Sequence, residues 1–322
     1  MFTHILVPLD GSILAECVVP HAISLAATLE TRVTLLHVLE QPRETGPLQP
    51  IDPVKWHLKK HDAGVYLDGI EACFQKAGLK VEKSIQDGTA AERIIDYANN
   101  NQVDLIVLST HGASGLSIWN MSSVVQKIIL RANKSTLLVR PHPSPPASAS
   151  QEIRYNRLFI GLDGSARAEL ILPVAIRIAN RYKSKLVIGT VVQKPEIMNR
   201  LPISKEDAQM IDQIVERNQK ASAHYLEQLL AQLSQTDIEI KTRLIVSENK
   251  TAALHNMVET ENADMVLLVA HGHSGLGRWP YGSVATSFID YGSTSLLIIQ
   301  DLPEGDFKTI NTNMATIENQ GH

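Results

Sequence analysis

The sequence predicts an α/β protein built twice: two tandem doubly wound domains, each a five-stranded parallel sheet with helices on both faces. Three observations carry this. Short, continuous runs of Val, Ile and Leu alternate with helical patterns along the 322 residues, and strands apolar on both faces belong to parallel sheets covered by helices. The order of segments in the first half recurs in the second, with Leu-Asp-Gly-Ser at 9–12 and again at 162–165. At about 150 residues per domain the length also predicts two domains, and a repeat of that size is far too long for a solenoid.

The first domain, 1–141, opens with the strand Ile5-Leu6-Val7, then Pro8-Leu9-Asp10-Gly11-Ser12 and an apolar-periodic helix containing Pro20. Val33 to Val38 reads as the second strand, and a connector with Pro42, Pro47, Pro50 and Pro53 leads into a helix from Val54 to Ala77. A strand near Lys80 to Ile85, a helix from Ala90 to Asn100 and the strand Leu105 to Leu108 follow. After a glycine-bearing loop come a helix from Ser123 to Arg131 and a last strand from Ser135 to Arg140. Residues 142–153 form a Pro/Ser-rich linker, stiff rather than floppy. The second domain, 154–302, repeats the pattern: Leu158 to Ile160, a helix with Pro173, Leu186 to Val191, a longer helix from Lys205 to Leu233, Met265 to Val269, and Thr294 to Ile299. Residues 303–322 are a polar tail without periodicity.

Totals exclude several classes. A net charge of −4 gives no basic balance for nucleic acid. No run approaches the roughly 18 apolar residues that span a bilayer, and the first residues lack a secretory signal pattern, so a cytoplasmic location is expected. Cys17 and Cys73 form no CxxC or metal spacing, which argues against a disulfide framework. There is no P-loop, no nicotinamide fingerprint and no nucleophile elbow. His57 and His61, four apart on one helix, are too few for zinc.

The candidate site lies where doubly wound sheets hold ligands, outside the carboxyl ends of the strands. Pro8, Leu9 and Asp10 end the first strand of one half; Gly161, Leu162 and Asp163 end it in the other. His111-Gly112 and His271-Gly272 follow the fourth strand, and Ser122-Ser123-Val124 and Gly282-Ser283-Val284 open the next helix at matching spacing. Glycine lets a backbone approach an anion, and a helix N-terminus points N–H groups at it. The opposing carboxylate suits ribose hydroxyls, so the pattern favours a nucleotide over bare phosphate. Read singly, each Asp is equally an Asx-turn or helix cap, each His a loop-packing residue, and Arg278 a solvated cation. Arg278 aligns with Ile118 and Gly282 with Ser122, so the second half is expected to be the stronger binder, the more so if its glycine adopts a left-handed backbone.

These residues resemble the universal stress protein family in its tandem, two-domain form, across Phe2 to about Leu302. The family's nucleotide signature, Gly, two residues, Gly, nine residues, Gly and Ser or Thr, is matched by Val269, Gly272, Gly282 and Ser283 in one half. In the other it is matched by Ser109, Gly112, Ser122 and Ser123. The first glycine is thus replaced in both halves. The resemblance implies the sheet order 3-2-1-4-5, adenine-contacting valines at Val38 and Val191, and ATP as ligand, with AMP or ADP as alternatives and Mg accompanying the nucleotide. It implies a nucleotide-dependent stress-response or signalling module with an unidentified protein partner. No residue offers itself as a catalytic base; a slow ATPase or nucleotide phosphotransferase and a nucleotide-free scaffold are the alternatives. The apolar last strands are expected to make the halves an intrachain pseudo-dimer, with a homodimer as the other arrangement.

Overall fold

A computed structural model describes residues 2–40, 52–112, 121–140, 153–195, 205–272 and 280–301. The linker at 142–152, the tail at 303–322, and Ile118, Trp119, Arg278 and Trp279 lie outside the described residues. The chain divides into two compact units, one carrying the first five strands and the other the last five.

In the first unit the elements run β1 (His4–Pro8), α1 (Ile13–Glu16), α2 (Val18–Leu29), β2 (Arg32–Leu39), α3 (Pro53–Lys76), β3 (Val81–Asp87), α4 (Ala90–Asn100), β4 (Leu105–Ser109), α5 (Ser123–Ala132) and β5 (Ser135–Val139). Neighbouring strands pair in parallel in the order β3-β2-β1-β4-β5. The second unit runs β6 (Arg157–Gly161), a 3-10 turn (Ala168–Ile171), α6 (Leu172–Tyr182), β7 (Lys185–Gln193), α7 (Lys205–Leu233), β8 (Ile240–Ser247), α8 (Lys250–Thr260), β9 (Met265–Val269), α9 (Ser283–Tyr291) and β10 (Ser295–Ile299). Its order, β8-β7-β6-β9-β10, is the same order repeated. Each half therefore has the expected sheet order.

The strands that flank each crossing are buried on both faces: every residue of β4 and of β9 is buried, and so are Ile5, Leu6, Val7, Leu158, Phe159 and Ile160. Edge strand β8 alternates between half-buried and exposed residues over most of its length, as a strand covered on one side does. A carboxylate pins each central pair. Asp104, just ahead of β4, accepts from the Thr3 amide (2.5 Å), the Thr3 hydroxyl (2.6 Å) and the His4 amide (3.0 Å). Asp264, just ahead of β9, accepts from the amides of Asn156 and Arg157 at 2.5 and 2.8 Å. Three donors on one oxygen fix the start of β1 beside β4, and with it the register at the far end where the site lies.

The first helix of each half is broken, where the periodicity predicts one helix. In one half α1 ends at Glu16 and α2 begins at Val18; in the other a 3-10 turn ends at Ile171 and α6 begins at Leu172. Pro20 and Pro173 explain both breaks. A proline has no N–H to give the carbonyl four residues back, and its ring collides with that carbonyl; the residues concerned are Glu16 and Glu169.

Candidate functional site

The strand order reverses between β1 and β4, and a cleft opens there at the carboxyl ends. Pro8, Leu9, Asp10, Val38, His111, Gly112, Ser122, Ser123 and Val124 all line it, and its volume is about 460 Å³. The counterpart between β6 and β9 is lined by Gly161, Leu162, Asp163, Val191, His271, Gly272, Gly282, Ser283 and Val284, with a volume of about 70 Å³. Every described candidate residue thus faces one of the two clefts.

Asp10 serves two neighbours. Its Oδ1 accepts from the Ser12 amide (2.9 Å) and the Ser12 hydroxyl (2.6 Å), an Asx-turn. Ser12 Oγ in turn accepts from the Ala15 amide at 3.1 Å, capping α1. The turn and site readings of this aspartate therefore coexist, because the other oxygen, Oδ2, lies against Gly112: a Cβ on that glycine would collide with it. Asp163 repeats the arrangement, with Oδ1 accepting from the Ser165 amide (3.1 Å) and hydroxyl (2.7 Å), and Oδ2 against Gly272. This adds a second reason for the two glycines beside the approach of an anion. Among the described atoms, the group that needs the missing side chain is the carboxylate across the cleft. The turn itself needs glycine for a different reason, since Gly11 and Gly164 sit at φ +83° and +81°.

The carbonyl of the residue before each aspartate is held from the second strand. His37 Nδ1 lies 2.8 Å from the Leu9 carbonyl; a carbonyl only accepts, so Nδ1 donates. Thr190 Oγ1 does the same for Leu162 at 3.0 Å. On the opposite wall, Ser122 N donates to the Thr110 carbonyl (3.1 Å) and Gly282 N to the Ala270 carbonyl (2.8 Å), so both helices start at the same height. Ser122 sits at φ −58° and its hydroxyl accepts from the Val125 amide, whereas Gly282, at φ −74°, leaves α9 without a side-chain cap. Neither backbone is left-handed, so the conformational reason for a weaker first half does not apply. His111 Nδ1 is 2.9 Å from Thr110 Oγ1, and its amide donates to Ser109 Oγ at 3.3 Å. His271 is buried.

Three features escape the sequence. Glu40 lines the first cleft, and its Oε1 accepts from the Ala90 amide at 2.7 Å, bridging the end of β2 to the start of α4. Lys250, the first residue of α8, lines the second cleft at the place Ala90 holds in the first. A tyrosine from the long helix of each half stands beside the acid turn. Tyr225 donates to Glu169 Oε1 at 2.9 Å, and its hydroxyl pKa is raised by burial first and by Glu169 next. Burial likewise raises Tyr66, with Glu16 and Asp10 adding to the effect. The strand-end rule could have found Glu40, two residues past Val38; the others depend on which helix lies over which loop. Among the described residues no three His, Cys, Asp or Glu side chains converge as a metal set, and both His57 and His61 are exposed on α3.

A doubly wound domain carried twice, each copy with an acid turn facing a glycine and a helix N-terminus across a cleft at its switch point, defines a tandem α/β protein with a candidate ligand site in each half. The model of the universal stress protein family matches residues 1–140 and again 154–300. The chain belongs to the universal stress protein family, in its tandem form. Universal stress protein Mb2028c of Mycobacterium bovis is 20% identical over 301 residues, 91% of this chain and 96% of that one. Universal stress protein MJ0531 of Methanocaldococcus jannaschii is 26% identical over 141 residues, 44% of this chain and 83% of its own. A crystal structure of a universal stress protein from Archaeoglobus fulgidus superposes with a TM-score of 0.63 at 17% identity, covering 92% of this chain and 98% of that one, a likeness of fold.

Proposed function

We propose that this protein binds an adenine nucleotide, ATP with ADP or AMP as alternatives, and acts as a nucleotide-dependent stress-response module. The observation that carries the reading is the first cleft. Its volume of about 460 Å³ falls in the range of small-ligand sites, ~300–1,000 Å³. It sets the Asp10 carboxylate, suited to accept from ribose hydroxyls, across from the start of α5, where N–H groups and the helix dipole favour phosphate oxygens. Val38 and Leu9 supply apolar contact for a base. Mg would enter with the phosphates rather than on a preformed protein site.

The test is calorimetric titration of the full chain with ATP, ADP and AMP, alongside analysis of the supernatant after denaturing freshly purified protein. Binding of at least one of the three is expected, and Asp10→Asn should weaken it at least tenfold. The amide keeps an acceptor for the Ser12 turn but loses the negative charge. Absence of binding by all three would leave the nucleotide-free scaffold. A turnover assay on the same samples separates a binding module from a slow ATPase; phosphate release lost in Asp10→Asn would favour the enzyme.

A further inference from the structure

We infer that the two clefts are not equivalent: the first admits a purine nucleotide, and the second is closed to one by Lys250. The full chain then takes one nucleotide, in its first half. This rests on the nucleotide reading and says where the ligand goes.

The halves share strand order, acid turn and glycine contact, yet their clefts differ from about 460 to about 70 Å³. Ligand sites for small molecules occupy ~300–1,000 Å³; the first cleft is of that size and the second is narrower. Two side-chain exchanges distinguish the second cleft from the first, and Lys250 is the one that brings new atoms into the wall. At the first position of the helix over the cleft, α4 has Ala90 and α8 has Lys250. Lysine lays its four-carbon stem along apolar surface and keeps the ammonium in water, and Lys250 is half-buried in the cleft wall. On the floor, Gly161 stands where the first half has Pro8, and Leu268 leans into the space; a Cβ on Gly161 would lie 2.7 Å from Leu268 Cδ2. A proline at that position forbids the lean.

The rims differ in the same places. In the first half Glu40 is held to the Ala90 amide at 2.7 Å, which fixes it at the edge of the opening. In the second half α8 is capped by Asn249, whose Oδ1 accepts from the Ala252 amide at 3.0 Å. The outcome opposes the expectation that the second half binds better. With Gly282 at φ −74° and Ser122 at φ −58°, a serine in place of the third glycine carries no backbone strain.

The test uses the full chain titrated with ATP and, in parallel, photolabelled with 8-azido-ATP and digested for peptide mapping. One site per chain is expected, with label confined to peptides from 1–140. Lys250→Ala should add a second site. Ala90→Lys should weaken the original one at least tenfold, and the double exchange should leave one site with the label moved to 154–300. Two sites of equal affinity in the unaltered chain, or label mainly in 154–300, overturns the inference while leaving nucleotide binding intact. If Lys250→Ala folds and binds only one nucleotide, the assignment to Lys250 is overturned. If no variant binds ATP, the nucleotide reading itself has failed and this inference falls with it. Photolabelling of the unaltered chain decides the location even where Ala90→Lys does not fold.

Discussion

At the scale of single residues, the contact between Asp10 Oδ2 and Gly112 separates ligand binding from folding. A methyl group at Gly112 would push Asp10 Oδ2 aside and strain the two Oδ1 bonds to Ser12, although Gly112 has no left-handed backbone to strain. Gly112→Ala is therefore expected to cost about 1–2 kcal/mol in urea unfolding while lowering nucleotide affinity about tenfold or more by displacing Asp10. A large loss of stability with unchanged affinity would show that the glycine serves packing alone. His21 makes a second residue-scale case. Burial pushes its pKa down to about 4 from 6.5. Between those values the unfolded chain takes up a proton that the native state refuses, so the contribution is complete above pH 6.5 and is lost as pH falls toward 4. His21 is half-buried, so solvent reduces the loss to on the order of 1–2 kcal/mol. Urea unfolding at about pH 7 and about pH 4.5 should show a larger drop for the natural chain than for His21→Leu; equal drops would clear His21 of the effect.

At the scale of elements, caps and prolines decide where helices start. Thr89 stands at the N-cap of α4 but makes no side-chain capping bond, and Glu40 reaches across from β2 to satisfy the Ala90 amide instead. A lost cap costs about 0.5–2 kcal/mol, so Glu40→Ala should destabilise the protein by about 1 kcal/mol and Glu40→Gln, which keeps an acceptor, by less. Chemical denaturation compares the two, and equal stabilities for Glu40→Ala and the natural chain would mean that water replaces the cap. Much at this scale was legible beforehand. The run from Lys205 to Leu233 forms α7 with those limits, and Ala90 to Asn100 forms α4, because long periodic stretches bounded by capping residues carry their own start and stop signals. The breaks in the first helices are not legible from Pro20 and Pro173 alone, because a proline in the first turn is also an ordinary way to begin a helix.

At the scale of the whole molecule, each half ends its strand order on an apolar segment free of charge, Ser-Thr-Leu-Leu-Val in β5 and Ser-Leu-Leu-Ile-Ile in β10. An uncovered strand of that kind is a template for association. We expect 1–140 and 154–300, expressed separately, to self-associate or precipitate, and to recover solubility when co-expressed. Light scattering on size-exclusion fractions checks this; two monodisperse, non-interacting monomers would exclude a role for these strands in joining the halves.

The sequence by itself determined the duplication, the alternation of strand and helix, and the strand ends from which a site is built. All three are local patterns: repeated spacing, period and turn chemistry need no knowledge of what packs against what. Strand order is not of this kind, since alternating strands and helices fit several windings, and the expected order came from family resemblance. Only the tertiary structure brought the end of β1 beside the end of β4, set Asp10 against Gly112, and carried Glu40 to the start of α4. Only there, too, did Ala90 and Lys250 acquire meaning. Along the chain they are first residues of two helices; across the clefts, a methyl group in one half faces a four-carbon stem in the other.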